Sequence, residues 1–395
     1  MSPPFLHLPL SQSPSPPVPF SPKPVVVTGI GLNSCLGSLR ESWRRLLAAE
    51  SGIQFHQPFP ELPPYPLGLI GAKPATFLSL VEDCAIAALA DAGLQSPLPD
   101  CGVVVASSRS FQAQWEEWRR GEEKARENWL ELLPHCGAIA AAGIVGSRGP
   151  VFAPMAACAS GIWAIARAFE LIQMGECDRV LAGAAEAPIS PLTLAGFQKM
   201  GAMARTGCYP FDKHREGLVL GEGAALFLLE SAEAAIARNA KIYGQVLGVG
   251  LTADGYHVSA PEMQSRSAAI AIKQCLERSG LQPAEIDYIH AHGTSTLLND
   301  RNEAELIQAL FSHPVAVSST KGATGHTLGA SGAIGMAFCL LALTEQILPP
   351  CVGLKTSEFN LNLVRESRKT CLKNLLCLSF GFGGQNAVLA LSLPV

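Results

Sequence analysis

Residues 154–161 read Pro-Met-Ala-Ala-Cys-Ala-Ser-Gly, and the reading of this octet decides the fold. Just before it, Gly-Pro-Val-Phe-Ala at 149–153 predicts a short buried strand behind a turn. Just after it, residues 159–174 carry apolar side chains at three- and four-residue spacing, the pattern of a helix. Cys158 therefore stands at a strand-to-helix corner. Unpaired amides and the positive end of the helix dipole gather there, and both favour a thiolate. An ordinary thiol pKa of about 8.5 is expected to fall by roughly a unit or more at such a corner. Ala156, Ala157, Ala159, Ser160 and Gly161 leave room for a substrate. The stretch by itself also fits a buried structural thiol, the commoner role of a reduced cysteine.

The 395 residues are 48% hydrophobic and 16% charged, enough for a large core in two domains or one duplicated unit. A net charge of −4 gives no sign of nucleic-acid binding. The twelve cysteines are scattered, with neither Cys-x-x-Cys pairs nor zinc spacing, so no metal is expected. No secretory signal is apparent, and reduced thiols in a cytoplasmic compartment are expected. The most apolar run, 330–343, is shorter than a membrane span and holds Ser331, Gly332 and Gly335. It reads as a buried helix, not a span.

Residues 1–24, rich in Pro and Ser, predict a disordered arm. The fold opens at 24–31 with a buried strand ending in Gly29 and Gly31, a weak echo of a dinucleotide-binding turn. Helices are expected at 39–49 and 77–92, and a strand at 102–106. Residues 107–136 hold Trp115, Trp118 and Trp129 among mixed charges and read as a surface helical excursion, a solvated helix or a lid. Strands at 178–186 and 217–230 close a first half, 25–240. A second half, 241–395, repeats the order with strands near 243–250, 286–290 and 315–318, helices at 265–280 and 300–311, and a closing strand pair. Alternating strands and helices predict a mainly parallel, buried sheet.

Three polar stretches interrupt the second half. Ala-His-Gly-Thr-Ser-Thr at 291–296 sits at the carboxyl end of a predicted strand, the edge where open α/β sheets bind ligands. Ser-Ser-Thr-Lys-Gly-Ala-Thr-Gly-His at 318–326 puts Lys321 and His326 in one glycine-rich turn. Phe-Gly-Phe-Gly-Gly-Gln-Asn at 380–386 sets free backbone amides beside two aromatics. With Cys158, these supply a thiol, two imidazoles and an ammonium, a set suited to acyl transfer with oxyanion stabilisation.

These stretches, in this order, resemble the elongating type II β-ketoacyl-[acyl-carrier-protein] synthases, condensing enzymes of the thiolase superfamily. The matching pieces also include Pro210-Phe-Asp-x-x-Arg-Glu-Gly, Asp254-Gly-Tyr-His, Asp300 and Glu303, and the likeness runs from about residue 24 to 395. The resemblance implies a thiolase-like α/β fold, five-layered αβαβα with two duplicated halves, and a homodimer. It implies a decarboxylative Claisen condensation of acyl- and malonyl-carrier proteins, in fatty-acid or polyketide elongation. Cys158 would be the nucleophile, and the amides of Cys158 and Phe382 the oxyanion hole. His292 and His326 would hold the malonyl thioester, supported by Lys321. Thr294, Thr296 and Ser259 would contact the phosphopantetheine arm, Phe382 would gate the cysteine, and Phe380 would line the site. The arm arrives on the carrier, so no separate cofactor is implied.

Departures from the pattern are specific. Gly335 replaces a glutamate that would lie near Lys321, which implies a less restrained lysine, and Gly335→Glu is expected to raise the rate. Gln385 stands where threonine is usual, and Ala156 where threonine is common. Ser-Arg-Ser-Phe at 108–111 replaces a glycine-rich pocket segment, so Phe111 or the tryptophans are expected to shape the acyl pocket. The usual basic docking helix is reduced to Lys73, which shifts docking to Arg119, Arg120 and Lys199. Two rivals stand beside this reading. A thiolase acting on acyl-CoA would need a second cysteine in the closing motif, and 380–386 has none. A non-catalytic chain-length-setting partner would ordinarily lose the cysteine.

Overall fold

The chain folds as two helices, Ser160–Gln173 and Ser331–Glu345, buried between two half-sheets, seen in a computed structural model that describes residues 23–121 and 129–394. The expected arm lies outside these residues except for Lys23 and Pro24, as does the charged run 122–128. The first half comprises β1 (Val25–Ser34), α1 (Leu39–Leu47), α2 (Phe77–Asp91), β2 (Gly102–Ala106), α3 (Gln112–Arg120), α4 (Cys136–Val145), β3 (Val151–Phe152), α5 (Ser160–Gln173), β4 (Arg179–Glu186), α6 (Pro191–Lys199) and β5 (Gly223–Ser231). The second runs β6 (Gly244–Ala253), α7 (Arg266–Ser279), β7 (Tyr288–His290), α8 (Leu297–Leu310), β8 (Ala316–Ser318), α9 (Ser331–Glu345), β9 (Asn362–Leu363), β10 (Asn374–Gly381) and β11 (Gln385–Ser392).

The strands lie in the order β9-β8-β7-β10-β11-β6-β1-β5-β4-β2-β3. Outward from the centre, the two halves repeat one pattern of directions. β1-β5-β4 and β6-β11-β10 are antiparallel, then β4-β2-β3 and β10-β7-β8 are parallel. The sheet is therefore mixed, not mainly parallel as expected. The reason is local in the second half: only residues 382–384 separate β10 from β11, too few for a parallel crossover.

Five layers result. α2 and α4 cover one outer face, and α7 and α8 the other. α9 is buried along residues 331–343, because each side meets sheet or helix. With the turn before it, the apolar window lengthens to Leu328–Glu345, long enough for a span by composition, yet 89% of it is buried inside the protein. Gly29 and Gly31 pack strand on helix: a Cβ on Gly31 would fall 2.0 Å from the Cys84 carbonyl of α2. Their spacing thus has a packing cause.

Two local expectations change. β3 is not buried, since it pairs on one side only and leaves Val151 40% and Phe152 38% exposed. Phe111 does not face a pocket: it is buried edge-on against Phe77, centroids 5.0 Å apart, in the outer core. Trp118 and Trp129 remain at the surface of the excursion.

Candidate active site

Cys158 sits one residue before the Ala159 cap of α5. Ala157, at φ +47°, turns the chain sharply into that helix, a left-handed conformation that costs an alanine roughly 1 kcal/mol or more. Two hydroxyls brace the corner. Ser160 Oγ accepts from the Ala156 amide at 2.9 Å and donates to the Ala157 carbonyl at 2.6 Å. Ser379 Oγ donates to the Cys158 carbonyl at 2.9 Å. The thiol is not lowered as expected. Burial pushes it up to about 11, while the Lys321 charge and the Phe382 amide pull it down only in part. A helix end favours a thiolate, but a buried thiolate first loses its water.

His292 follows β7, and His326 follows the helical turn Lys321–Thr324. The two rings cross at 81° with centroids 5.2 Å apart. One nitrogen of each and Cys158 Sγ lie within 4.8 Å of one another. Both imidazoles are held neutral, well below the usual histidine range, by burial and then by Lys321. Their outer nitrogens are occupied. His292 Nδ1 faces Lys321 Nζ at 3.5 Å, and His326 Nδ1 faces Ser331 Oγ at 2.8 Å. Lys321 also donates to the His292 carbonyl. Burial lowers its pKa, against the opposing charge of Glu303. Glu303 accepts the amides of His292 at 2.6 Å and Gly293 at 2.7 Å, and burial raises it to about 7. Asp300 similarly holds the amides of Phe211 and Ser295.

Cys158, His292, His326, Thr294, Thr296, Ser259, Phe380 and Phe382 all line one cleft of about 370 Å³; Lys321 stands behind it. Thr294 and Thr296 share a hydroxyl contact of 2.9 Å at the start of α8. Phe380 lies edge-on to His292 at 6.0 Å. Phe382 packs on Phe197, 5.9 Å between centroids, and Arg109 lies 5.8 Å over the same Phe197 ring. Gly381 permits this closing turn to reach the nucleophile, since a Cβ there would lie 3.0 Å from Cys158 N.

Three participants were missed by sequence reasoning. Glu186, buried at the end of β4, accepts from the amides of Ser108 (2.7 Å), Arg109 (2.9 Å) and Gly329 (2.9 Å). It ties the rewritten 108–111 segment to the turn after His326. Its signal was available: an acidic residue closing an apolar strand. Ser379 and Ser331 look like ordinary core serines in sequence, and only the fold aims them. The space around Gly335 also differs from expectation. A Cβ there would fall 2.6 Å from Cε1 of His290 and 3.1 Å from Cys377 Sγ. The His290 ring occupies this space, so a glutamate does not fit beside it.

A duplicated five-layer fold with a Cys-His-His set at its centre defines a condensing enzyme of the thiolase-like class. Comparison with known proteins gives the family. The beta-ketoacyl synthase N-terminal domain matches residues 72–235 and the C-terminal domain residues 243–355. The chain is similar to 3-oxoacyl-[acyl-carrier-protein] synthase 2 of Staphylococcus aureus strain COL, 32% identical over 93% of this chain and 97% of that one. It is 42% identical to the Synechocystis sp. protein of the same name over 66% of each chain. Among solved structures, a β-ketoacyl synthase from Burkholderia phymatum STM815 superposes with a TM-score of 0.85 at 29% identity, covering 94% of this chain and all of that one. The AntDE:AntF complex, a type II PKS acyl-carrier protein with its ketosynthase bound to the hexaketide, gives 0.89 at 27% identity, covering 95% and 100%. This chain belongs to the beta-ketoacyl synthase family.

Proposed function

We propose that the protein elongates an acyl chain by decarboxylative condensation, with Cys158, His292, Lys321 and His326 as the working set. The observation that carries this is the meeting of one thiol and two neutral imidazoles within 4.8 Å, in a cleft with a lysine behind it. In the first half-reaction, Cys158 sulfur attacks the thioester carbonyl of an acyl-carrier protein. The C–S bond to the carrier breaks, and the cysteine proton leaves on the carrier thiol. The amides of Cys158 and Phe382 receive the oxyanion. In the second, malonyl-carrier protein loses CO2, and the carbonyl of the resulting enolate accepts hydrogen bonds from His292 and His326. The enolate carbon then attacks the acyl-cysteine carbonyl. A C–C bond forms, the C–S bond breaks, and the expelled Cys158 thiolate takes a proton from water.

Thr294, Thr296 and Ser259 line the side of the cleft from which a pantetheine arm would run. The carrier itself would dock on basic residues beside the mouth, where exposed Lys199 and Arg205 flank the lining residues Met200–Ala202. The exposed β3 edge, with Met155 57% exposed beside it, suits pairing with the same edge of a second copy, which supports a homodimer. The halves are assigned to residues 25–240 and 241–395, and twelve free thiols support a reducing, cytoplasmic setting. A non-catalytic partner would have no use for converged Cys158, His292 and His326. Reconstitution with acyl- and malonyl-carrier proteins tests the proposal: a β-ketoacyl product two carbons longer, detected by mass spectrometry, supports it. Malonyl decarboxylation without chain extension would refute it.

A further inference from the structure

One buried imidazole has no task in that mechanism. His290 ends β7 and is 2% exposed. Its Nε2 lies 3.0 Å from Oγ1 of Thr320, and its Nδ1 lies 3.8 Å from Sγ of Cys377. Thr320 is the root of the turn that carries Lys321. Its carbonyl accepts the amides of Ala323 at 2.9 Å and Thr324 at 3.1 Å. Whatever fixes Thr320 therefore fixes the base of the lysine side chain, and with it the contacts of Nζ to His292.

The histidine is itself wedged in place. A Cβ at Gly335 would collide with its ring at 2.6 Å, so the ring fits only because α9 presents a glycine there. The Cys377 thiol also faces the Gly332 carbonyl at 3.7 Å, one turn from Gly335 on the same helix. The ring therefore bridges Cys377 Sγ and Thr320 Oγ1, in a buried chain of contacts that ends where the thiol donates to the Gly332 carbonyl. The space beside Gly335 is filled by this hydrogen-bonding ring, brought there from β7.

We propose that His290, lodged between Cys377 and Thr320 in the space left by Gly335, is a positioning residue that fixes Lys321 for the decarboxylation step. The proposal rests on the condensing reading given above.

The test measures two half-reactions in the full chain: acylation of Cys158 by intact mass, and CO2 release from malonyl-carrier protein. Thr320→Val removes the hydroxyl that His290 meets without opening a cavity. It and His290→Ala are expected to slow CO2 release by about tenfold while acylation stays within about twofold. His290→Ala/Gly335→Glu places an acid in the vacated space and is expected to recover at least half of the lost factor on a logarithmic scale. Thr320→Val releasing CO2 at the unsubstituted rate overturns the proposal. So does a double variant no faster than His290→Ala, and so does an equal fall in both half-reactions, which marks a general structural role. Absence of CO2 release from the unsubstituted protein overturns the condensing reading instead.

Discussion

Lys321 Nζ lies 3.5 Å from Nδ1 of His292 and donates to the carbonyl of the same residue. An ammonium only donates, so Nδ1 accepts and the ring proton is placed on Nε2, the nitrogen left for the cleft. Burial and the lysine charge keep that ring neutral, which makes it a hydrogen-bond donor to a developing oxyanion without a competing charge. His292→Ala should therefore slow malonyl decarboxylation by about 10²- to 10³-fold. Acylation of Cys158 should persist, because the nucleophile and the amide hole remain. Decarboxylation at an unchanged rate, followed by CO2 release, would remove His292 from the role assigned to it.

The thiol itself sets a pH dependence. Burial raises Cys158 to about 11, so the sulfur is protonated at neutral pH in the free enzyme. Alkylation by iodoacetamide should be slow at pH 7 and climb about tenfold per pH unit up to pH 10. A rate that levels off below pH 8 would show a thiolate already present. The same raised value means that the buried thiol contributes stability below the unfolded thiol range, which is lost as pH rises through about 11.

Gly335→Glu should damage the protein. The new side chain meets the His290 ring at 2.6 Å and Cys377 Sγ at 3.1 Å from its first carbon. Overpacking at so dense a place costs about 3 kcal/mol, before the burial of a carboxylate is counted. Denaturant titration should show an earlier midpoint, and condensation should fall. A variant as stable as the parent and faster would restore the expectation drawn from sequence.

Carrier docking should depend on charge beside the cleft mouth. Lys199→Glu/Arg205→Glu should raise KM for acyl-carrier protein several-fold and steepen no salt dependence, while saturated acylation changes by less than about twofold. An unchanged KM would move docking to another face, with Arg119 and Arg120 at the end of α3 the next to alter.

Much of the site could be read in the sequence because its residues interrupt apolar strands and turns with polar, glycine-flanked motifs. Cys158, His292, Lys321 and His326 each stand just beyond such a boundary, and the fold gathers them. What stayed hidden arises between distant segments. The rise in the Cys158 pKa comes from burial under elements that its own stretch does not name. His290 fills the place beside Gly335 from 45 residues away in the chain, so the missing glutamate looked like a vacancy. The antiparallel β10–β11 pair follows from the short turn between them, which alternating element order does not reveal. Phe111 was expected at a pocket for want of knowing that Phe77 would cover it.

The central claim is that Cys158 carries the acyl group. Intact mass of the protein after incubation with acyl-carrier proteins of several chain lengths, beside Cys158→Ala, tests it most directly. The account predicts a gain of one acyl group, cleaved from the thioester by hydroxylamine as the hydroxamate and absent from the variant. An equal gain in Cys158→Ala, or none with any donor, would contradict it.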